Sequence, residues 1–144
     1  MTGNDFIAWI LRSPLHKLLS GGMLLITLTG RKTGRQYTTP VGYYREGEVL
    51  WVITSRTRTW WRNLRGGAEV TLHLRGRDVQ AYAETLEEES AVARQIGDYV
   101  HHLPQSRRSL GVRLENGEPH PEDAARLAQE RLFVKLGLRN GAAA

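Results

Sequence analysis

The sequence predicts a small antiparallel β-barrel, mainly β with a few flanking helices, forming one domain over residues 1–144. Two observations predict it. Six short stretches have strand character, either as a continuous apolar run or as strict apolar/polar alternation. Most are joined by tight glycine-containing turns rather than by helices. Short hairpin-linked strands with few helices favour closure, because a barrel leaves no unpaired edges.

The elements follow in order. Asp5 reads as the cap of a short helix carrying Phe6, Ile7, Trp9, Ile10 and Leu11. Ser13 and Pro14 read as a new cap and first helical position, with Leu15, Leu18 and Leu19 on one face. Gly21 and Gly22 close this helical region, residues 1–22. Met23–Thr29 is a buried strand, Gly30–Arg35 a basic turn, and Tyr37–Tyr44 a second strand. Pro40 inside it implies a sheet edge or a bulge. Arg45, Glu46 and Gly47 form a hairpin turn, and Val49–Ser55 returns. Thr59 caps a short helix, Trp60–Leu64, ended by Gly66 and Gly67. Val70, Leu72 and Leu74 alternate in a strand over Val70–Arg75, and Gly76 turns it into Asp78–Glu84. Glu87–Leu103 is helical in composition, with acids in its first turn and Pro104 just beyond. Gln105–His120 reads as a polar loop or lid, Pro121–Glu130 as a helix, and Leu132–Leu138 as the closing strand. The barrel thus takes residues 23–86 and 131–139, with a helical and loop insertion at 87–130.

With 144 residues and 40% hydrophobic content, the chain can bury a sizeable core. The absence of cysteine excludes disulfides, thiolate catalysis and Cys-based metal centres. The five histidines show no metal-ligand spacing, so no metal is expected. No stretch is long and apolar enough to span a bilayer, and no secretory signal is visible. A cytoplasmic location is expected, with peripheral membrane contact through the N-terminal helices as a weaker alternative. The net charge of +5 favours an anionic partner.

Met23 to Asn63 is the most informative stretch. Its turn gathers Arg31, Lys32 and Arg35 together with several peptide N–H groups, as an anion such as a phosphate requires. Trp60 and Trp61 follow, flat surfaces that can cover a planar ring. Each feature has a plainer alternative. The cations can be a solvated hairpin turn. Adjacent tryptophans on a helix diverge, so at least one belongs to the core. Asn63 can cap or brace a turn, and Ser55 can satisfy backbone groups at a strand end. His73 faces away from Leu72 and Leu74, which predicts solvent exposure, as does the placing of His101 and His102 at a helix end.

With GRKTG at 30–34, TTP at 38–40, VITSR at 52–56 and WWRNL at 60–64, the sequence resembles the deazaflavin-dependent nitroreductase family. These are split β-barrel proteins related to the FMN-binding, pyridoxamine-phosphate-oxidase-like barrels. The resemblance covers Leu15 to Leu86. It implies that the basic turn and the next strand hold the phosphate and acidic tail of coenzyme F420, and that the third strand's Ser-basic pair and the aromatic segment lie by the ring. The implied cofactor residues are Arg31, Lys32, Thr39, Pro40, Val41, Thr54, Ser55, Arg56, Trp60, Trp61 and Asn63. The sequence departs from the family pattern at Tyr37, where many relatives carry another tail-binding arginine, and at Gly42, where the named nitroreductase has an aromatic. Of that enzyme's tyrosine-rich pocket segment only Tyr99 is present, beside His101 and His102.

The expected function is therefore an oxidoreductase that uses reduced F420 to deliver a hydride to a small electrophile such as a quinone, enone or nitroaromatic. FMN is the alternative cofactor. Ser55 is expected near the ring or acceptor, with Tyr99, His102 or solvent as proton source. A monomer or homodimer with no specific nucleic-acid partner is expected. The non-enzymatic alternatives are a hydrophobic-ligand carrier and a single-strand nucleic-acid binder using Trp and Tyr stacking.

Overall fold

The computed structural model describes residues 22–74 and 76–139. The N-terminal helices expected over 1–22 lie outside the described residues save for Gly22, as does Arg75. Six strands close an antiparallel barrel: β1 (Met23–Thr29), β2 (Gln36–Glu46), β3 (Val49–Ser55), β4 (Ala68–Leu74), β5 (Arg77–Leu86) and β8 (Arg131–Leu138). Their order around the barrel is β1-β2-β3-β8-β5-β4. A 3-10 helix (Trp60–Leu64) links β3 to β4. Between β5 and β8 come α1 (Glu89–His102), α2 (Ser106–Leu110), the small strands β6 (Leu114–Glu115) and β7 (Glu118–Pro119), and α3 (Pro121–Glu130).

Period-two alternation builds the interior. Leu24, Ile26 and Leu28 of β1, Leu50 and Val52 of β3, Val70 and Leu72 of β4, Ala81 and Ala83 of β5, and Leu132, Val134 and Leu136 of β8 form one buried cluster. A second core lies outside the barrel wall. There Val92, Ile96 and Tyr99 of α1 and Leu127 of α3 pack on Tyr44 and Phe133. Leu132–Leu138 closes the barrel by pairing with both β3 and β5.

Strand β2 has β1 beside it along Gln36–Gly42, but pairs with β3 only over Tyr43–Glu46. Pro40 falls where the strand has a partner on one side alone, as a residue without an N–H requires. The wall is therefore open between the first half of β2 and the end of β3, and the 3-10 helix returns beside this opening.

Three expectations need correction. Residues 105–120 are not a plain loop: α2 ends on Gly111 at φ 70°, and β6 and β7 pair across Asn116 and Gly117, both in the left-handed region. Thr59 makes no side-chain capping hydrogen bond; its backbone is already helical, which removes the geometry a cap needs. His73 is buried rather than exposed. It faces outward, opposite Leu25 on β1, and its Nδ1 lies 3.0 Å from the Asp78 carboxylate across the β4–β5 hairpin. Outward from a barrel strand is not the same as toward water.

Candidate functional site

The β1–β2 turn and the 3-10 helix face each other across a cleft of about 480 Å³. Gly30, Arg31, Lys32, Thr33 and Tyr37 form one wall, and Thr59, Trp60, Arg62 and Asn63 the other. The turn is locally closed by the Gly34 N–H donating to the Gly30 carbonyl at 2.8 Å and the Gly30 N–H donating to the Arg35 carbonyl at 2.7 Å. A Cβ on Gly30 would stand 2.7 Å from the Tyr37 ring, so only glycine lets that ring lie against the turn.

The 3-10 geometry sorts TWWRNL. Residues three apart eclipse one another in such a helix. Trp61 and Leu64 share the buried side, while Trp60 and Asn63 share the side facing the cleft. Trp61 is 3% exposed, and its indole N–H donates to the Ser55 carbonyl at 3.2 Å. It is a core residue and not a wall of the site. Trp60 is half-buried, and Tyr37 is 45% exposed, an unusually open position for so large a ring.

Asn63 joins the two walls. Its Oδ1 accepts from the Arg31 backbone N–H at 2.9 Å, and its Nδ2 donates to the Trp60 carbonyl at 3.0 Å. The Arg31 guanidinium donates to the carbonyls of Arg65 and Gly67. Arg65 is itself neutralised by a two-pronged pair with Glu87, whose closest contact is 2.8 Å. That pairing holds the Glu87 carboxyl below its ordinary range and raises the Arg65 guanidinium further.

The remaining expected residues are not brought to the cleft wall. Arg56 turns away: its guanidinium donates to the Ala128 carbonyl at 2.8 Å and the Glu87 carbonyl at 2.6 Å, tying the end of β3 to α3. Thr54 and Val41 are buried, Val41 within the barrel core. Thr39 is half-buried and Pro40 exposed, paired with Ile26 and Leu25 of β1. The Ser55 hydroxyl is engaged by Thr57, at 2.8 Å from its hydroxyl and 3.3 Å from its N–H. Tyr99 and His102 pack on Tyr44, with ring centroids 5.4 and 4.5 Å away. Tyr44 lies seven residues beyond Tyr37, about 23 Å along an extended strand. Burial raises the Tyr99 phenol above its ordinary range and Tyr44 further still. The His102 Nδ1 lies 2.8 Å from the Asp98 carbonyl, and its Nε2 faces the Glu46 carboxylate at 3.8 Å.

Sequence reasoning missed Arg62 and Tyr37 as cleft residues. The signal for Arg62 lay in its place between Trp60 and Asn63 on a one-turn helix, beside the face they share.

A closed six-stranded antiparallel barrel with a cationic, aromatic cleft at one end defines a split β-barrel of the pyridoxamine-phosphate-oxidase-like class. A family model for the F420H(2)-dependent quinone reductases matches residues 13–113, and the chain belongs to that family of oxidoreductases.

Comparison with solved structures supports the fold. A protein of unknown function from Agrobacterium tumefaciens aligns with a TM-score of 0.58 and 13% identity, over 85% of this chain and 51% of its own. The present chain thus spans about half the length of that relative. A FAD-binding protein from Mesorhizobium loti aligns at 0.54 and 16% identity, over 89% and 91% of the two chains. A candidate pyridoxamine 5'-phosphate oxidase from Listeria innocua aligns at 0.52 and 13% identity, over 94% and 93%. No curated protein gives a significant match.

Proposed function

We propose that the chain binds coenzyme F420 in the cleft between the basic turn and the 3-10 helix, and reduces small planar electrophiles, quinones first among them. The observation that carries this reading is the composition of the cleft. It presents Arg31, Lys32 and Arg62 beside two aromatic rings, and no carboxylate lines it among the described residues. Such a wall suits a ligand with several anionic groups and a flat ring. The family match agrees. FMN, with a single phosphate, uses fewer of these cations, which favours the deazaflavin over it.

When bound, reduced F420 supplies the hydride. The chain's own part is to hold and orient. Lys32 and Arg62 attract the anionic portion, Trp60 and Tyr37 offer aromatic faces, and Asn63 keeps the two walls in register. A quinone takes up one hydride and one proton to become the hydroquinone. Solvent is the proton source this reading favours. Tyr99 and His102 pack on the outer face of β2, and Tyr99 holds its proton more firmly than a free phenol does. Small planar acceptors such as quinones and enones need fewer shape-specific contacts than bulky bicyclic nitroimidazoles.

Fluorescence titration of the purified protein with oxidised F420 and with FMN tests the cofactor. Saturable F420 binding that is tighter than FMN binding is the expected result. An acceptor panel with reduced F420, following its reoxidation, then tests the substrate class. Nitroimidazole turnover with no quinone activity would overturn the acceptor reading. Tight binding with no turnover of any acceptor would point to a carrier.

A further inference from the structure

We propose that the anion-catching charge of the cleft is divided between its two walls, Lys32 on the turn and Arg62 on the 3-10 helix, while Arg31 is a positioning residue. The proposal rests on the cleft being the coenzyme site. Arg35 of the same turn does not line the cleft; Arg31, Lys32 and Arg62 do, with Arg65 just past the helix, and their partners separate these four. Arg31 gives its guanidinium to the carbonyls of Arg65 and Gly67 and its backbone N–H to Asn63, so it ties the turn to the end of the helix. Arg65 is matched by Glu87. Lys32 and Arg62 remain. Both are exposed, both line the cleft, and neither is in an ion pair among the described residues.

Arg62 is also pre-oriented. Its guanidinium lies 5.6 Å from the centroid of the Trp61 ring, and Trp61 is fixed in the core. Contact with an aromatic face restrains the side chain but leaves its forked N–H donors free. Lys32, on the opposite wall, is a point charge on a flexible stem. The arrangement fits an elongated ligand carrying two or more anionic groups, such as a phosphate followed by carboxylates.

The experiment is a titration at several salt concentrations with two probes. One is F420. The other is the same deazaflavin ring and its polyol chain without the phosphate and glutamates. Arg62→Ala should weaken F420 binding about tenfold, the scale of one charge-assisted contact discounted for exposure. It should flatten the salt dependence, leave affinity for the truncated probe unchanged and leave the thermal midpoint in place. Arg62→Lys should restore the salt dependence but not the full affinity. Arg31→Ala should lower the thermal midpoint and weaken both probes. If the unmodified protein binds F420 and Arg62→Ala binds it equally well at every salt concentration, the division of charge is wrong while the coenzyme reading stands. If Arg31→Ala leaves the midpoint unchanged and loses only the anionic portion, Arg31 is a direct ligand and the positioning role falls. Failure of the unmodified protein to bind F420 overturns the coenzyme reading and this assignment with it.

Discussion

Two adjacent tryptophans with the same chemistry should respond in opposite ways to the same substitution. Trp61 is 3% exposed, and its indole N–H bonds the Ser55 carbonyl at 3.2 Å. Changing it to Phe keeps most of the apolar surface buried, but leaves a void beside the ring and removes one of the two bonds that the Ser55 carbonyl accepts, the other coming from the Arg58 N–H at 3.1 Å. A void of that size and a lost hydrogen bond contribute about 1 kcal/mol each, so Trp61→Phe should destabilise the fold by about 2 kcal/mol. For a chain of this length that is roughly a 6 °C drop in the thermal midpoint. Trp60 is half-buried on the cleft side and makes no side-chain hydrogen bond among the described residues. Trp60→Phe should cost below about 1 kcal/mol of stability, since little volume leaves the core. Its effect should fall on F420 affinity, through the smaller aromatic face. Urea unfolding followed by far-UV circular dichroism measures the first quantity, and fluorescence titration with F420 the second. Equal stability losses in the two variants would refute the sorting of TWWRNL by the 3-10 repeat. So would a Trp61→Phe protein of unchanged stability that no longer binds F420.

Two further outcomes follow from the same contacts. Asn63→Ala removes the bond from the turn's Arg31 N–H to the helix, an exposed N–H that water can take over, and the brace from its amide to the Trp60 carbonyl within the helix. Stability should fall by only about 1 kcal/mol, while F420 affinity falls about tenfold because the two walls lose register; an unchanged Kd would show that the walls hold without it. Asp123, at the start of α3, accepts from the Arg113 side chain at 3.0 Å and its backbone N–H at 2.8 Å, which holds its carboxyl at about 2. Against an unfolded value of about 3.9, its contribution is complete above that value and is lost as the pH falls through the folded one. Urea midpoints taken between about pH 5 and pH 2 should therefore fall more steeply in the unmodified protein than in Asp123→Asn, and parallel curves would contradict the assignment.

The sequence by itself determined the barrel and its chain order. Met23–Thr29 and Val49–Ser55 stand where alternation and apolar runs placed them, and Pro121–Glu130 where its proline start and its composition did. Strand period, helix start signals and glycine turns are local properties, so residues a few positions apart reveal them. The charge of the basic turn and the aromaticity of the TWWRNL segment were likewise legible, because they belong to the residues themselves; that the two segments line one cleft is what the fold adds. Only the tertiary structure decided which cations are engaged by the chain's own carbonyls and which line the cleft without an ion-pair partner among the described residues. Arg31 and Arg56 look as available in sequence as Lys32 and Arg62. Carbonyls contributed from as far away as Gly67 and Ala128 take the first two. The same holds for His73, covered on the outer face, and for Tyr99 and His102, drawn against Tyr44 by the packing of α1 on β2. A side chain's partners depend on which distant backbone arrives beside it, and the closure of the barrel sets that.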